Sequence, residues 1–489
     1  MVSFRVEDVF RDAGIPQITF VEPAEFTKTR VSLRTPGKGV IVEGPSGIGK
    51  TTCIQKAIQE EKLKPTLLSA RKNEDLEMIE FLLSCPKKMG LVVIDDFHYL
   101  EDSIKVRLTN LLKVLADESR EDVKLVLIGI NKAGDSLIQL APDLSNRIDI
   151  IHFEKNPVGK IEELITIGEK ALNIHIACRD QIIQGSYGSF HIAQVLCKTV
   201  CIQQGLLNTS EQHQEITIPY QEVINSQMQD LERRFSHIVN QFVVGNRNRR
   251  GGKATYYWLM RWLAESESGV LSMDDAILYH PSYKPSIGQI TDNQYITKLI
   301  MNHPDISSVL FYDLVSKNLA IEDPKFLFYI KNMDWEQYSR NMGFKSVEDD
   351  KQFDFALSFS GENRHLAEHL SALLRENEYT VFYDKDYTAD MIGKDLDSYL
   401  AGIYSKEAKY VVVFYDVYYP KKFWTAFESE KYKDRFNEDA VIPILVGDLP
   451  IMPTDKLYTR AYLSITEKEP VESQINELFS VLDEKMRKS

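Results

Sequence analysis

Gly44, Gly47, Gly49, Lys50 and Thr51 are spaced as in a loop that cradles phosphates, in the pattern G-x-x-x-x-G-K-[ST]. Glycine there lets backbone N–H groups close on an anion, and a helix N-terminus behind the loop adds favourable partial charge. Lys50 would reach the β- and γ-phosphates of ATP, Thr52 would sit beside them, and the Thr51 hydroxyl would ligate Mg²⁺. Two acids fit the same chemistry. Asp95 and Asp96 end an apolar run, so that Asp95 would hold Mg²⁺ while Asp96 orients or deprotonates the attacking water. A second group lies far along the chain. Trp424 and Glu428 share one helix face by their spacing, and Phe359, Ser360, Gly361 and Asp384 stand at the ends of apolar runs.

These side chains need elements to hold them. Residues 39–43 read as a buried strand feeding the loop, and 52–58 as the opening of a helix. Residues 66–70 read as a strand, 73–83 as a helix, and 124–130 as a further buried strand ending at Asn131. A polar side chain at that tip would touch the γ-phosphate or the lytic water. Arg147 precedes the last apolar run and reads either as an arginine finger or γ-phosphate sensor, or as a surface arginine. An arginine acting on the transition state is worth about 10³–10⁵ in rate. The alternation of strands and helices predicts a parallel sheet covered on both faces.

The loop, the acid pair, Asn131 and Arg147, in this order, resemble the AAA+/STAND ATPases, the signal-transduction group that includes NACHT proteins. The resemblance implies an ATP-driven switch that oligomerises, with the N-terminal lead-in folded over the nucleotide base. Many relatives carry Glu at the second acid; the shorter Asp96 suits a timer better than a motor. Their helical lid often places a nucleotide-sensing arginine where this chain has His191, which reads equally as a capping or packing residue.

The chain of 489 residues has room for roughly three domains. Lys and Arg number 58 against 72 Asp and Glu, a net charge of −14, which argues against a general nucleic-acid or anionic-membrane surface but allows a local basic patch. Five scattered cysteines without a C-x-x-C pair point to a reducing compartment, with Cys197 and Cys201 packing on one helix face. With no leader pattern and no apolar run long enough to span a bilayer, the expected location is cytoplasmic, off the membrane. The expected domains are a lead-in 1–35, an ATPase core 36–155, a helical lid and linker 156–230, a winged-helix-like domain 231–335, a linker 336–350 and a last domain 351–489. A hairpin is expected across residues 319–329 of the winged-helix-like part. Arg247, Arg249, Arg250 and Lys253 form a basic loop, either a contact for DNA, RNA or a phosphate-bearing trigger, or a solvated loop. No repeat period marks a solenoid sensor.

In the last domain, apolar runs at 353–359, 379–383, 408–414 and 441–446 predict a flavodoxin-like sheet with its ligand crevice at the ends of the first and third strands. Residues 353–362, the Tyr383–Asp386 tip with Gly393, and Trp424 with Glu428 in the W-x-x-x-E pattern resemble TIR domains. Asp416 departs from the Ser that many of them carry after the third strand. TIR domains of the enzymatic type hydrolyse NAD⁺ at the nicotinamide–ribose bond, which implies Glu428 as the catalytic residue, Trp424 stacking on the ligand, and Phe359, Ser360, Gly361 and Asp384 lining the cleft. One carboxylate suffices for that chemistry, because nicotinamide leaves as a neutral molecule where most glycosidic leaving groups need an acid. The whole chain then resembles TIR–STAND immune effectors: a homo-oligomer on activation, answering a phage-derived or nucleic-acid trigger. A non-enzymatic TIR scaffold and an ATP-dependent DNA-binding regulator remain the alternatives.

Overall fold

The computed structural model describes residues 3–129, 147–245, 253–344, 350–419, 435, 439–447, 461–466 and 470–488. They fall into two compact units, the first comprising 1–238, 263–272 and 304–333, the second 239–262, 273–303 and 334–489.

In the first unit, strands β1 (Gly39–Glu43), β2 (Pro65–Ser69), β3 (Gly90–Asp95), β4 (Val123–Ile128) and β5 (Ile148–His152) form a sheet of order β2-β3-β4-β1-β5. Every pairing is parallel. Parallel neighbours need crossovers, and helices Lys50–Glu60, Asn73–Ser84 and Asp102–Asp117 supply them. Side chains alternate between two buried faces. Ile41, Val92, Ile94, Leu125 and Leu127 enter one core, and Val40, Val42, Leu91, Val93 and Val126 enter the other. That is why these strands read as continuous apolar runs rather than as alternation. Asp95 ends β3, and the phosphate-type loop follows β1, so both open on the same, carboxyl edge of the sheet.

The same unit contains helices Val158–Leu172, Arg179–Gly185 and Phe190–Gln203 with a small parallel pair, β6 (Ile174–Ile176) and β7 (Gln214–Ile216). Cys197 and Cys201 are buried on the last of these helices, and all five cysteines are free. A three-stranded antiparallel sheet, β8 (Val270–Ser272), β9 (Leu310–Asp313) and β10 (Asn318–Ile321), runs in the order β8-β10-β9. The hairpin expected across 319–329 is therefore displaced: its strands are β9 and β10, and Pro324–Asn332 is a helix. Asp323 caps that helix, its carboxylate accepting from Lys325 N at 2.8 Å, and Pro324 fits its first turn, where no N–H is needed.

In the second unit, β11 (Phe353–Phe359), β12 (Val381–Phe382), β13 (Ala408–Tyr415), β14 (Val441–Val446) and β15 (Leu463–Ile465) form a parallel sheet of order β12-β11-β13-β14-β15. This is the flavodoxin-like order, with its switch point between β11 and β13. Helix Arg364–Glu376 buries Leu366, Ala367, Leu370, Ser371 and Leu374, a single stripe at helical spacing, against the sheet. The first residue of that helix thereby stands at the crevice. Asp354 fixes the register at the other end, accepting from both the backbone N–H and the hydroxyl of Thr380 at 2.9 Å. Among the described residues no helix is long and apolar enough to cross a membrane.

Candidate functional site

The loop after β1 has the backbone its glycines allow. Gly49 takes φ 109° as the cap of helix Lys50–Glu60, and Gly47 takes φ 72°, both in the left-handed region. A Cβ on Gly47 would stand 2.6 Å from the Pro324 Cβ, so only glycine fits under that proline. The loop is bracketed from elsewhere in the same unit. Ser189 Oγ donates to Gly47 O at 3.0 Å while accepting from Ile192 N as a helix cap, and Asn156 Nδ2 donates to Ile48 O at 3.2 Å. Ser46 Oγ donates to the backbone carbonyl of Glu322.

The charged groups converge on a cavity of about 340 Å³ lined by Lys50, Thr51, Thr52, Arg71, Asp95, Asp96 and Glu322, among others. Lys50 Nζ donates to Gly44 O and Pro45 O, each at 2.7 Å. Loss of water within the loop pushes the ammonium down to about 8, against the pull of Asp95, Asp96, Glu322 and Glu43. Thr51 Oγ1 lies 3.0 Å from Asp95 Oδ2, a hydroxyl and a carboxylate paired as two oxygen ligands of one hard cation would be. Burial and the neighbouring Asp96 raise the Asp95 carboxyl above its ordinary range. Asp96 adopts φ 57° at the turn after β3 and is held by Arg71, with Nε 3.0 Å from Asp96 Oδ2. These donor sets fit a nucleoside triphosphate with Mg²⁺.

The N-terminal lead-in lines the same cavity through Arg11, Pro16, Phe20 and Val21. His191 lines the same cavity, its imidazole held below the usual histidine range by burial and then by Lys325. A neutral ring there can pack or accept a hydrogen bond but offers no fixed charge to a phosphate.

Arg147 is not brought to the loop. It precedes β5, whose register with β1 pairs Ile148 with Gly39, so it sits at the amino edge of the sheet, opposite the loop. Its guanidinium pairs with Asp117, Nε to Oδ1 at 2.7 Å. The cavity instead holds Arg71, which the sequence reading passed over. Arg71 follows the end of β2, on the carboxyl edge where such a sheet places its ligand groups, and that position was a usable signal. Asn131, Arg247, Arg249 and Arg250 lie outside the described residues, as do Trp424 and Glu428. Lys253 is described and buried, its ammonium donating to Ser282 O at 2.6 Å and standing 4.3 Å from the Tyr283 ring centroid.

The second candidate region is the crevice between β11 and β13. Ser360 is buried, its hydroxyl donating to Asp416 Oδ2 at 2.8 Å. Asn363 Nδ2 donates to the same oxygen at 2.8 Å, while Asp416 Oδ1 accepts from the N–H groups of Tyr418 and Tyr419 at 2.9 and 2.7 Å. Asp416, the departure noted in the sequence, thus ties the loop after β13 to the tip of β11. Asp384 is held by Arg364 through two parallel bonds of 2.8 Å, and that guanidinium lies 5.1 Å from the Phe359 ring centroid. Gly361 is exposed and opens a 3₁₀ turn, Gly361–Asn363. Asn363 and Arg364 were not legible as crevice residues from sequence, since each acts through a partner 20 or more positions away.

Asp416→Ala would orphan two side-chain donors and two backbone N–H groups in a buried place. The expected cost is about 2–4 kcal/mol, read as earlier loss of hydrogen-exchange protection on β11 and β13. Unchanged protection would show that the bracket contributes nothing.

Residues 355–479 match the family model described as TIR domain. The 3' cyclic ADP-D-ribose synthase AaTIR of Aquimarina amphilecti is 32% identical over 140 residues, 28% of this chain. The match covers 41% of that relative, so the chain spans less than half of its length. Among solved structures, the RuvB Holliday junction branch migration motor of Thermotoga maritima is similar with a TM-score of 0.36 at 15% identity, over 67% of this chain and 97% of that one. The ORC2 protein of Aeropyrum pernix, in its ADPNP-ADP complexes, gives a TM-score of 0.34 at 13% identity, over 70% and 100%. Residues 355–479 thus match a TIR domain in sequence, and the sheet they contribute to has the flavodoxin-like order.

Proposed function

We propose that the chain is a nucleotide-gated effector whose TIR domain cleaves NAD⁺ at the nicotinamide–ribose bond. The observation that carries this reading is the match of the TIR domain to AaTIR, a relative named for making a cyclic ADP-ribose. Cyclic or linear, an ADP-ribose product arises when the C–N bond breaks with its electron pair going to nicotinamide. An oxygen or nitrogen nucleophile then takes the ribose carbon. Glu428 would stabilise the positive charge that develops on the ribose or hold its hydroxyls, and Trp424 would stack on the substrate. Phe359, Ser360, Gly361 and Asp384 would shape the crevice. Ser360 and Asp384 do so through Asp416 and Arg364, which already occupy their polar atoms.

In the first unit, Lys50, Thr51 and Thr52 would hold the phosphates of ATP, with Thr51 and Asp95 on Mg²⁺ and Asp96 at the attacking water. Support comes from the convergence of these groups on one cavity. Nucleotide state would then control assembly into a homo-oligomer, in response to a phage-derived or nucleic-acid trigger, as an antiviral device in the cytoplasm. A non-enzymatic TIR scaffold is the second reading, favoured by the engagement of Ser360 and Asp384 within the protein.

The deciding experiment follows nicotinamide release from NAD⁺ by the full chain, against oligomer size, with and without ATP and Mg²⁺. Release that rises with assembly supports the enzyme. Assembly on ATP with no release, in the presence of a trigger that assembles it, turns the reading to the scaffold.

A further inference from the structure

Glu322 follows strand β10, far from the loop in sequence, yet its side chain is almost fully buried beside the phosphate-type loop, 2% exposed. Its carboxylate takes Arg71 Nη2 at 2.6 Å, His98 Nε2 at 2.6 Å and the Tyr99 hydroxyl. Its backbone carbonyl takes the hydroxyl of Ser46, inside the loop, and two residues on Pro324 covers Gly47. Glu322 also lines the cavity that holds Lys50, Thr51, Asp95 and Asp96. Burial alone would favour the neutral acid, but the bonds from His98, Arg71 and Tyr99 hold its carboxyl below the usual range. A buried negative charge therefore lines the same cavity as Lys50, Thr51 and Asp95.

The neighbouring charge is as informative. Arg71 is shared between Glu322 and Asp96, at 2.6 and 3.0 Å, and its guanidinium lies 4.5 Å from the Tyr99 ring centroid. It is 40% exposed, the more accessible partner of the pair. It is also the one arginine among the described residues to bridge the acid after β3 and the segment that covers the loop. Removing it would leave Asp96 without this partner and Glu322 with His98 and Tyr99 alone.

We propose that Glu322 and Arg71 set the phosphate specificity of this cleft. Glu322 disfavours a third phosphate by like-charge repulsion, and Arg71 offsets it. The proposal rests on the nucleotide reading of the loop and deepens it. It makes the cleft a better site for a nucleoside diphosphate than the loop motif alone implies. Glu322→Gln keeps the shape and removes the charge: its amide oxygen can still accept from Arg71 and Tyr99, while its amide nitrogen can only donate toward His98 Nε2. Arg71→Gln removes the counter-charge.

The test is calorimetric titration of the full chain with ADP and with the β,γ-imido analogue of ATP, each with Mg²⁺. The expected change in the ratio of the two dissociation constants is about tenfold toward the triphosphate in Glu322→Gln, and toward the diphosphate in Arg71→Gln. Opposite signs separate a charge effect from a general loss of structure, which would move both variants the same way. A ratio unchanged in both variants, or moved in the same direction by both, overturns the proposal while leaving nucleotide binding intact. Failure of the natural chain to bind either nucleotide overturns the nucleotide reading and this proposal with it.

Discussion

Lys50→Ala should weaken ATP binding roughly 100-fold or more, the equivalent of losing charge-assisted bonds worth about 3 kcal/mol. The reason lies in the surroundings of Lys50. Its ammonium is folded back onto Gly44 O and Pro45 O, and its surroundings lower its proton affinity to about 8. A cation held at such a cost to its solvation gains most when a multiply charged anion arrives. The same fact predicts that the substitution does not unfold the unit, because it removes a poorly solvated charge rather than a buried partner. Ser189, Asn156 and Glu322 would still bracket the loop. The measurement is calorimetric titration of the full chain with ATP and Mg²⁺, beside a thermal unfolding trace of the same sample. ATP bound at its natural strength by a folded Lys50→Ala protein would remove the phosphate role from this loop. If ATP gates the TIR domain, the variant should also fail to assemble; normal assembly and NAD⁺ loss would sever the gate from the output.

The contrast between Lys50 and Arg71 shows what a sequence displays and what it withholds. Lys50 belongs to a contiguous pattern between a strand and a helix, so its role is written within a dozen positions. Arg71 and Glu322 are 251 positions apart, and their bond exists only because β10 returns beside the loop. Arg147 stands apart from the loop of its own chain for a different reason. Its place in motif order suggested a phosphate contact, but a residue that precedes a parallel strand lies at the edge opposite a loop that follows one. Chain order in a parallel sheet is enough to imply it. The hairpin across 319–329 was misplaced because alternating aromatics after Lys325 imitate a strand, while Asp323 and Pro324 were the stronger local signal for a helix start. In the second unit, four apolar runs pointed to a flavodoxin-like sheet, while its short fifth strand β15 at the edge was not among them. The inward turn of Ser360 was not legible either, since it depends on Asp416 standing across the crevice.

If the TIR domain cleaves NAD⁺ as proposed, Glu428→Ala should lower that cleavage by about 10²–10³-fold, the usual cost of removing one group aimed at charge that develops in the transition state. Nicotinamide leaves neutral, so no general acid is needed, and the barrier is set by charge building on the ribose ring. A carboxylate is the right partner for that charge, and Glu428 stands at the W-x-x-x-E position of the TIR domain. Glu428→Gln divides the two roles open to it. If the negative charge itself stabilises the ribose cation, Gln is as poor as Ala. If the side chain holds ribose hydroxyls by hydrogen bonds, Gln keeps much of the rate and Ala does not. A thermal unfolding trace of each variant beside the natural chain checks that the sheet core of Phe355, Leu357, Val412 and Phe414, with helix Arg364–Glu376 against it, still stands. Nicotinamide release by the full-length assembled protein reads both variants, with assembly followed in parallel so that a lost rate is not a lost oligomer. Full release from an assembled Glu428→Ala protein would place the chemistry on another residue. Loss in Ala with retention in Gln would make Glu428 the group that orients the ribose.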